Sequence, residues 1–294
     1  MLRSEIDVLS PQTLDEALGL LKENQTQLKI VAGGSDVIVQ LRDGVIKTSK
    51  LLNILFLKEL RYIKQISGTI HVGSLSTYSD IAASPLMREH AWVLVEAAKQ
   101  VGAIQLQNTA TIGGNVGNAS PAGDSLPPLY ALDAVVVTRS KSGQREFPIE
   151  EYFTGYRKSV LRSDELVQEI HFPQLDKDDR GRYLKLGLRE ANAISIVDVA
   201  VVLRGRKADG SFTHARVALG AVAPTIVRSR ECERKLANTI LTTGRIQEAA
   251  SLAANDAKPI DDIRGSAIYR KEVVVSLVYQ ALHEAVFGDL NLHG

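Results

Sequence analysis

The spacing of apolar positions divides the chain into two parts with different rhythms. In the first, Thr13-Leu14-Asp15-Glu16 has the form of a capping box and predicts a helix with Leu14, Ala17, Leu18 and Leu21 on one face. A short apolar strand at Ile30 to Ala32 runs into Gly33-Gly34, and Ser35 and Asp36 offer a helix cap. Ile70 and Val72 alternate with polar neighbours in a strand that ends at Gly73, and Leu75-Ser76-Thr77-Tyr78 reads as a cap for a short helix. Ser84-Pro85 opens one helix with Met87, Leu94, Ala97, Ala98 and Val101 as its stripe and Gly102 as its stop. Ala134 to Val137 and Glu165 to Ile170 read as further strands.

Gln174 to Gly181 is short, charged and polar, and marks the expected boundary. Beyond it, Tyr183–Leu186, Ile194–Leu203 and His214–Val222 read as three strands, with Ala208-Asp209-Gly210-Ser211 turning between the last two. Helical patterns follow from Ser229, from Ile246 to Ala253 and from Ser266. The last has a wide apolar face through Val273, Val274, Leu277, Val278, Ala281, Leu282 and Ala285, which makes it core or interface.

Composition narrows the function classes. The 294 residues suffice for two compact parts, and 35 basic against 34 acidic residues give no basic surface for nucleic acid or anionic lipid. No apolar run approaches a membrane span and no signal-peptide core is visible, so a cytoplasmic protein is expected. The single cysteine, Cys232, cannot form an internal disulfide or hold an iron–sulfur cluster, and reads as an inert thiol. His71, His90, His171, His214, His283 and His293 show no metal-like spacing, and no Ser/His/Asp set is suggested.

The candidate chemistry lies in two glycine-rich segments. Thr109 to Asp124 packs four glycines, two asparagines and an aspartate without Lys or Arg, and Leu28 to Val37 runs a strand into Gly33-Gly34. Glycine lets backbone approach a ligand closely. Two strand-to-glycine turns could therefore hold the two phosphates of one dinucleotide. Neither has the Rossmann spacing and no Walker lysine follows, so spacing alone does not name the cofactor. Asp124 fits a ribose diol or, more simply, a helix N-cap before Leu126-Pro127-Pro128.

Ala32-Gly33-Gly34-Ser35-Asp36, Thr111-Ile112-Gly113-Gly114-Asn115 and Ser120-Pro121-Ala122-Gly123-Asp124 together resemble the FAD-binding (medium) subunit of molybdenum hydroxylases. That group includes xanthine dehydrogenases and aerobic carbon monoxide dehydrogenases, and the resemblance spans essentially the whole chain. It implies an α+β fold: a two-part FAD-binding domain of the PCMH type at 1–175, with subdomains of roughly 1–55 and 56–175. A C-terminal domain at 179–294 of the CO dehydrogenase flavoprotein type would follow, with a three-stranded antiparallel sheet and a helical bundle. The FAD contacts it implies are Lys29, Ile30, Val31, Ala32, Gly33, Gly34, Ser35, Asp36 and Val37 in the first turn. Thr111, Ile112, Gly113, Gly114, Asn115, Asn118 and Asp124 follow in the second, with Val101, Val167 and Lys185 elsewhere. Lys185, Val167 and the Leu75-Ser76-Thr77-Tyr78 stretch match positions near the flavin ring, and Gln107 stands where the family often carries arginine.

The resemblance also implies partners: a molybdopterin-binding large subunit, a [2Fe–2S] small subunit that passes electrons singly to FAD, and NAD or another acceptor. The lack of cysteine clusters agrees with such a split arrangement, and the overall resemblance leans towards a xanthine dehydrogenase-like enzyme. Two other readings stay open. One is a stand-alone FAD-dependent reductase or oxidase of related fold, although no proton donor for its own substrate stands out. The other is a non-catalytic nucleotide-binding module.

Overall fold

The computed structural model describes residues 6–24 and 27–288; His293 and the first five residues lie outside the described ones. The chain opens with β1 (Asp7–Leu9), α1 (Leu14–Asn24), β2 (Leu28–Val31), α2 (Val37–Arg42) and β3 (Lys50–Asn53). The three strands form a parallel sheet in the order β1-β3-β2. Thr13 caps α1 by accepting from the Glu16 amide, while the Glu16 carboxylate accepts from Gln12 N, one residue earlier than a strict capping box. Ala17, Leu18 and Leu21 are buried on the inner face, as the spacing predicts.

The second subdomain begins with β4 (Ile63–Ile66) and β5 (Thr69–Gly73). A run of short helices follows: α3 (Tyr78–Ala83), α4 (Pro85–His90), α5 (Trp92–Gln100), α6 (Ile104–Thr109), α7 (Ile112–Asn118) and α8 (Leu126–Ala131). It closes with β6 (Val135–Ser140), β7 (Gly143–Pro148), α9 (Ile149–Tyr152), the small hairpin β8 (Phe153–Gly155) and β9 (Lys158–Ser159), and β10 (Leu166–Pro173). Its antiparallel sheet has the order β4-β5-β10-β6-β7. Ile70, Val72, Ile170 and Phe172 turn one face of that sheet onto the helices and are fully buried.

One expectation changes here. The single helix from Ser84 is two: Ala91, at φ −153° and ψ 39°, breaks it between α4 and α5. Ser84 and Pro85 start the first piece as expected, and Gly102 follows the second in a left-handed conformation (φ +50°). Gln105 to Asn108 lies in α6, where Gln107 ties Lys99 and Val101 together by donating to both carbonyls.

The C-terminal part contains β11 (Arg180–Gly187), β12 (Ser195–Arg206), β13 (Phe212–Gly220), the two-residue β14 (Val227–Arg228), α10 (Arg230–Leu236), α11 (Thr243–Asp256) and α12 (Ala267–Phe287). The three long strands are antiparallel as read from the sequence, and β14 adds a short edge. Strand β12 is buried on both faces. Val197, Val199, Val201 and Leu203 meet α10 to α12, whereas Ala200 and Val202 pack into the core of the second subdomain. This is why its sequence is almost continuously apolar. Arg182 joins the parts further, reaching Glu96 on α5 (3.0 Å) and Glu284 on α12 (2.7 Å).

Candidate functional site

The upstream glycine turn sits where β2 passes into α2. A Cβ on Gly33 would lie 1.8 Å from the Thr109 carbonyl oxygen, so only glycine lets this turn rest on the end of α6. The two glycine segments, distant in sequence, therefore touch. Gly113 is held as tightly on its other side. Its amide donates to the Ser74 carbonyl at 2.9 Å, and a Cβ would meet the Ser74 side chain at 2.4 Å.

The downstream segment differs from the expected strand-to-glycine turn: α6 precedes it, and Ile112 to Asn118 is helix α7, capped by Thr111 Oγ1 accepting from Gly114 N at 3.1 Å. The Thr111 cap outweighs the poor helix propensity of its glycines, and Ile112 and Val116 anchor the helix in the core. Asp36 occupies the cap position of α2 but makes no side-chain cap bond.

Between the Gly33-Gly34 turn and α7 lies a cavity of about 480 Å³. The sequence-identified residues line it, apart from Val31, Ile112 and Lys185. Val31 and Ile112 point into the apolar cores instead. Lys185 stands behind the wall: its Nζ donates to Asp124 Oδ2 at 2.7 Å and to the Gln100 carbonyl at 3.0 Å. Asp124 is not the N-cap of α8, a position that falls to Ser125; its other oxygen accepts from Ser195 Oγ at 2.7 Å.

Behind this pair, fully buried Asp198 accepts from the Tyr183 hydroxyl at 3.1 Å, and its Oδ1 has no hydrogen-bond partner. Burial first, and the Asp124 charge second, push the Asp198 carboxyl well above the usual carboxylate range. Two adjacent buried carboxylates with one lysine leave room for one negative charge. Burial raises the pKa of both carboxyls, and Asp124, bonded to Lys185 and Ser195, is the one held towards its charged form.

Leu75 and Tyr78, from the stretch that the family resemblance sets near the flavin ring, line the cavity, and Thr77 makes the α3 capping box. The structure also adds residues that no motif announced. The β8–β9 turn brings Arg157, and the following loop brings Arg162. With Lys29 these put cations around a segment that has none of its own. Burial lowers the Lys29 pKa, and it raises that of Asp36 against the opposing pull of Arg157 and an Asn118 hydrogen bond. Asn192, Ala193 and Ile194 close the cavity from the C-terminal part. A hairpin turn of one exposed Tyr and one Arg carries no spacing signal, so sequence could not single out Arg157.

Elsewhere, Cys232 is buried in α10 and its thiol pKa is raised, chiefly by burial, as expected of an inert thiol. Two of the histidines are brought together in a way that sequence spacing does not show. His71 and His171, 100 residues apart in sequence, face each other across β5 and β10 beside Glu169.

The family pattern for the FAD binding domain in molybdopterin dehydrogenase matches residues 4–175, and that for the CO dehydrogenase flavoprotein C-terminal domain matches residues 182–285. The chain belongs to the FAD subunits of the molybdenum hydroxylase family. It is 31% identical to the nicotinate dehydrogenase FAD-subunit of Eubacterium barkeri, over 97% of this chain and 96% of that one. Identity is also 31% to the xanthine dehydrogenase FAD-binding subunit of Escherichia coli O157:H7, over 93% and 94% of the two chains. A carbon monoxide dehydrogenase chain from Hydrogenophaga pseudoflava superimposes with a TM-score of 0.92 at 29% identity, covering 97% of this chain and 98% of that one. The cofactor of this FAD subunit is therefore FAD. Among the described residues no helix is long and apolar enough to cross a membrane.

Proposed function

We propose that this FAD subunit carries electrons from a [2Fe–2S] small subunit to NAD or another acceptor, within an enzyme whose large subunit holds molybdopterin. The observation that carries the reading is the contact of the Gly33-Gly34 turn with the end of α6 just ahead of α7, which builds one backbone-walled cavity with cations at its edge. Gly33, Gly34, Gly113 and Gly114 would hold the diphosphate against main chain, with Lys29 and Arg157 opposing its charge. Asp124 keeps free lone pairs beside its two bonds and would accept from ribose hydroxyls. Val101 and Val167 would supply apolar wall. FAD supplies the electron chemistry; the chain binds it, orients it and excludes water.

Lys185 would act on the cofactor through Asp124, which already neutralises most of its charge. The division at 1–175 and 179–294, and a cytoplasmic setting, belong to the same proposal. Relatives named for nicotinate and xanthine support an N-heterocycle, xanthine-like substrate for the molybdenum partner.

Co-expression with the two partner chains tests this reading. One complex should form, purine should bleach its flavin absorbance, and a cysteine-ligand variant of the iron–sulfur partner should abolish the bleaching. Full turnover of a substrate by this chain alone would overturn it. Acid-released cofactor should chromatograph as FAD and not FMN.

A further inference from the structure

The five-stranded sheet turns its second face away from the core, and that face carries an unassigned cluster. His71 on β5 and His171 on β10 are direct cross-strand partners, and Glu169 lies two residues before His171. All three side chains therefore project from the same face. His71 Nδ1 is 2.8 Å from Glu169 Oε1, and His171 Nδ1 is 3.4 Å from that same oxygen. The two imidazole centroids are 5.2 Å apart, and one ligand atom from each residue falls within 4.8 Å of the others.

We propose that His71, Glu169 and His171 form a binding site for a divalent transition-metal ion, with zinc as the fitting occupant. Tetrahedral ligands about 2.0–2.2 Å from zinc lie about 3.3–3.6 Å from one another. The His171 Nδ1 to Glu169 Oε1 spacing of 3.4 Å falls in that range, and the His71 spacing of 2.8 Å is shorter. Two imidazoles and one carboxylate suit zinc and its neighbours in the first transition row; calcium and magnesium would call for oxygen ligands throughout.

Two features around the cluster favour an ion over a simple hydrogen-bonded triad. His171 Nδ1 is buried, and although Glu169 Oε1 lies 3.4 Å away no hydrogen bond is completed to it, an expense that a metal would remove. The Tyr62 hydroxyl donates to Glu169 Oε2 at 2.5 Å, which turns Oε1 towards the imidazoles as an outer partner of a metal ligand does. Lys64, opposite His71 on β4, lays its amine over the Tyr62 ring at 4.5 Å.

The ligands keep 12–19% side-chain exposure, so an ion can enter from solvent and retain water in a fourth position. Bound there, it would clamp β5 to β10. Strand β10 also carries Val167 to the cavity wall two residues away from Glu169. The site is thus tied to the cofactor scaffold without being part of it.

The test uses the full-length, FAD-loaded chain, stripped with EDTA and dialysed against zinc chloride, with bound zinc measured by mass spectrometry. One zinc per chain should be retained. His71→Gln and His171→Gln should each lose it, and exposed His214→Gln should keep it. Tyr62→Phe should weaken binding by about 10–100-fold. Flavin content and circular dichroism identify a variant that has misfolded. In that case zinc-edge anomalous diffraction from crystals grown of the wild-type chain decides, with density expected between the two rings. No retained zinc, retention undiminished in His171→Gln, or anomalous density only elsewhere would overturn the site and leave a proton-sharing triad.

Discussion

The cavity has two walls made by different means. On one side stand the turns at Gly33 and Gly113, where the absence of a side chain lets main chain lie against main chain. On the other stands a charged relay, Asp124–Lys185 with Ser195, backed by Asp198 and Tyr183. The first wall tolerates no added atom. The second tolerates no lost partner, because a buried ion pair that loses one member leaves the other uncompensated. One wall is limited by sterics and the other by electrostatics, so each fails in its own way.

The most damaging substitution should be Gly33→Val. Its Cβ would fall inside the Thr109 carbonyl contact, separate the two turns and strip the flavin completely. Absorbance at the flavin band against protein concentration measures this, with circular dichroism to show that helices persist. Stoichiometric FAD in that variant would dissolve the distinction between the walls.

Next in size, Lys185→Met should lower stability by about 3–5 kcal/mol by stranding Asp124. Asp124→Asn in the same chain should restore much of the loss. Denaturant titrations of the two single variants and the double variant form the cycle; strictly additive losses would show that the pair is not coupled.

Asp198→Asn should do the opposite. The Asp198 pKa is raised in the folded state, so its stabilising contribution is complete below the unfolded value and drains away as pH rises towards the folded value. Asparagine is neutral throughout and escapes that drain. Unfolding midpoints at rising pH above the ordinary aspartate range should therefore diverge in favour of the variant, by up to about 1.4 kcal/mol per pH unit. Parallel midpoints would mean that Asp198 is ionised.

The smallest effect sharpens the first. Gly117 lies in α7 with nothing within 4 Å of a built Cβ, so Gly117→Ala should stabilise by up to about 1 kcal/mol through helix propensity, with FAD retained. Flavin loss there would show that the whole α7 backbone, and not particular glycines, meets the cofactor.

The two walls also differ in how far the sequence exposes them. Gly33-Gly34 and Gly113-Gly114 stand out because close main-chain contact restricts a position to glycine, and that restriction is written locally. Asp124 was legible from the same segment, but its partnership with Ser195 depends on β12 folding back across the domain seam. Strands and long helices follow from alternation and caps: Ser229, Ser266 and Gly102 all mark the ends they imply. What local pattern misses is tertiary override. Thr111 turns a glycine-rich stretch into helix, Ala91 breaks an apolar stripe that reads as continuous, and strand pairing unites His71 with His171.

Residues 192–194 and Ser195 come from the C-terminal part, yet they complete the wall that Asp124 begins. That shared wall constrains how such subunits diversify. Grafting the C-terminal half of one relative onto the cofactor half of another would exchange Lys185 and Ser195 while keeping Asp124. A recombinant that lost either residue would inherit a carboxylate without its neutralising or hydrogen-bonding partner. The halves can drift in surface and in partner choice, but at this seam they must change together.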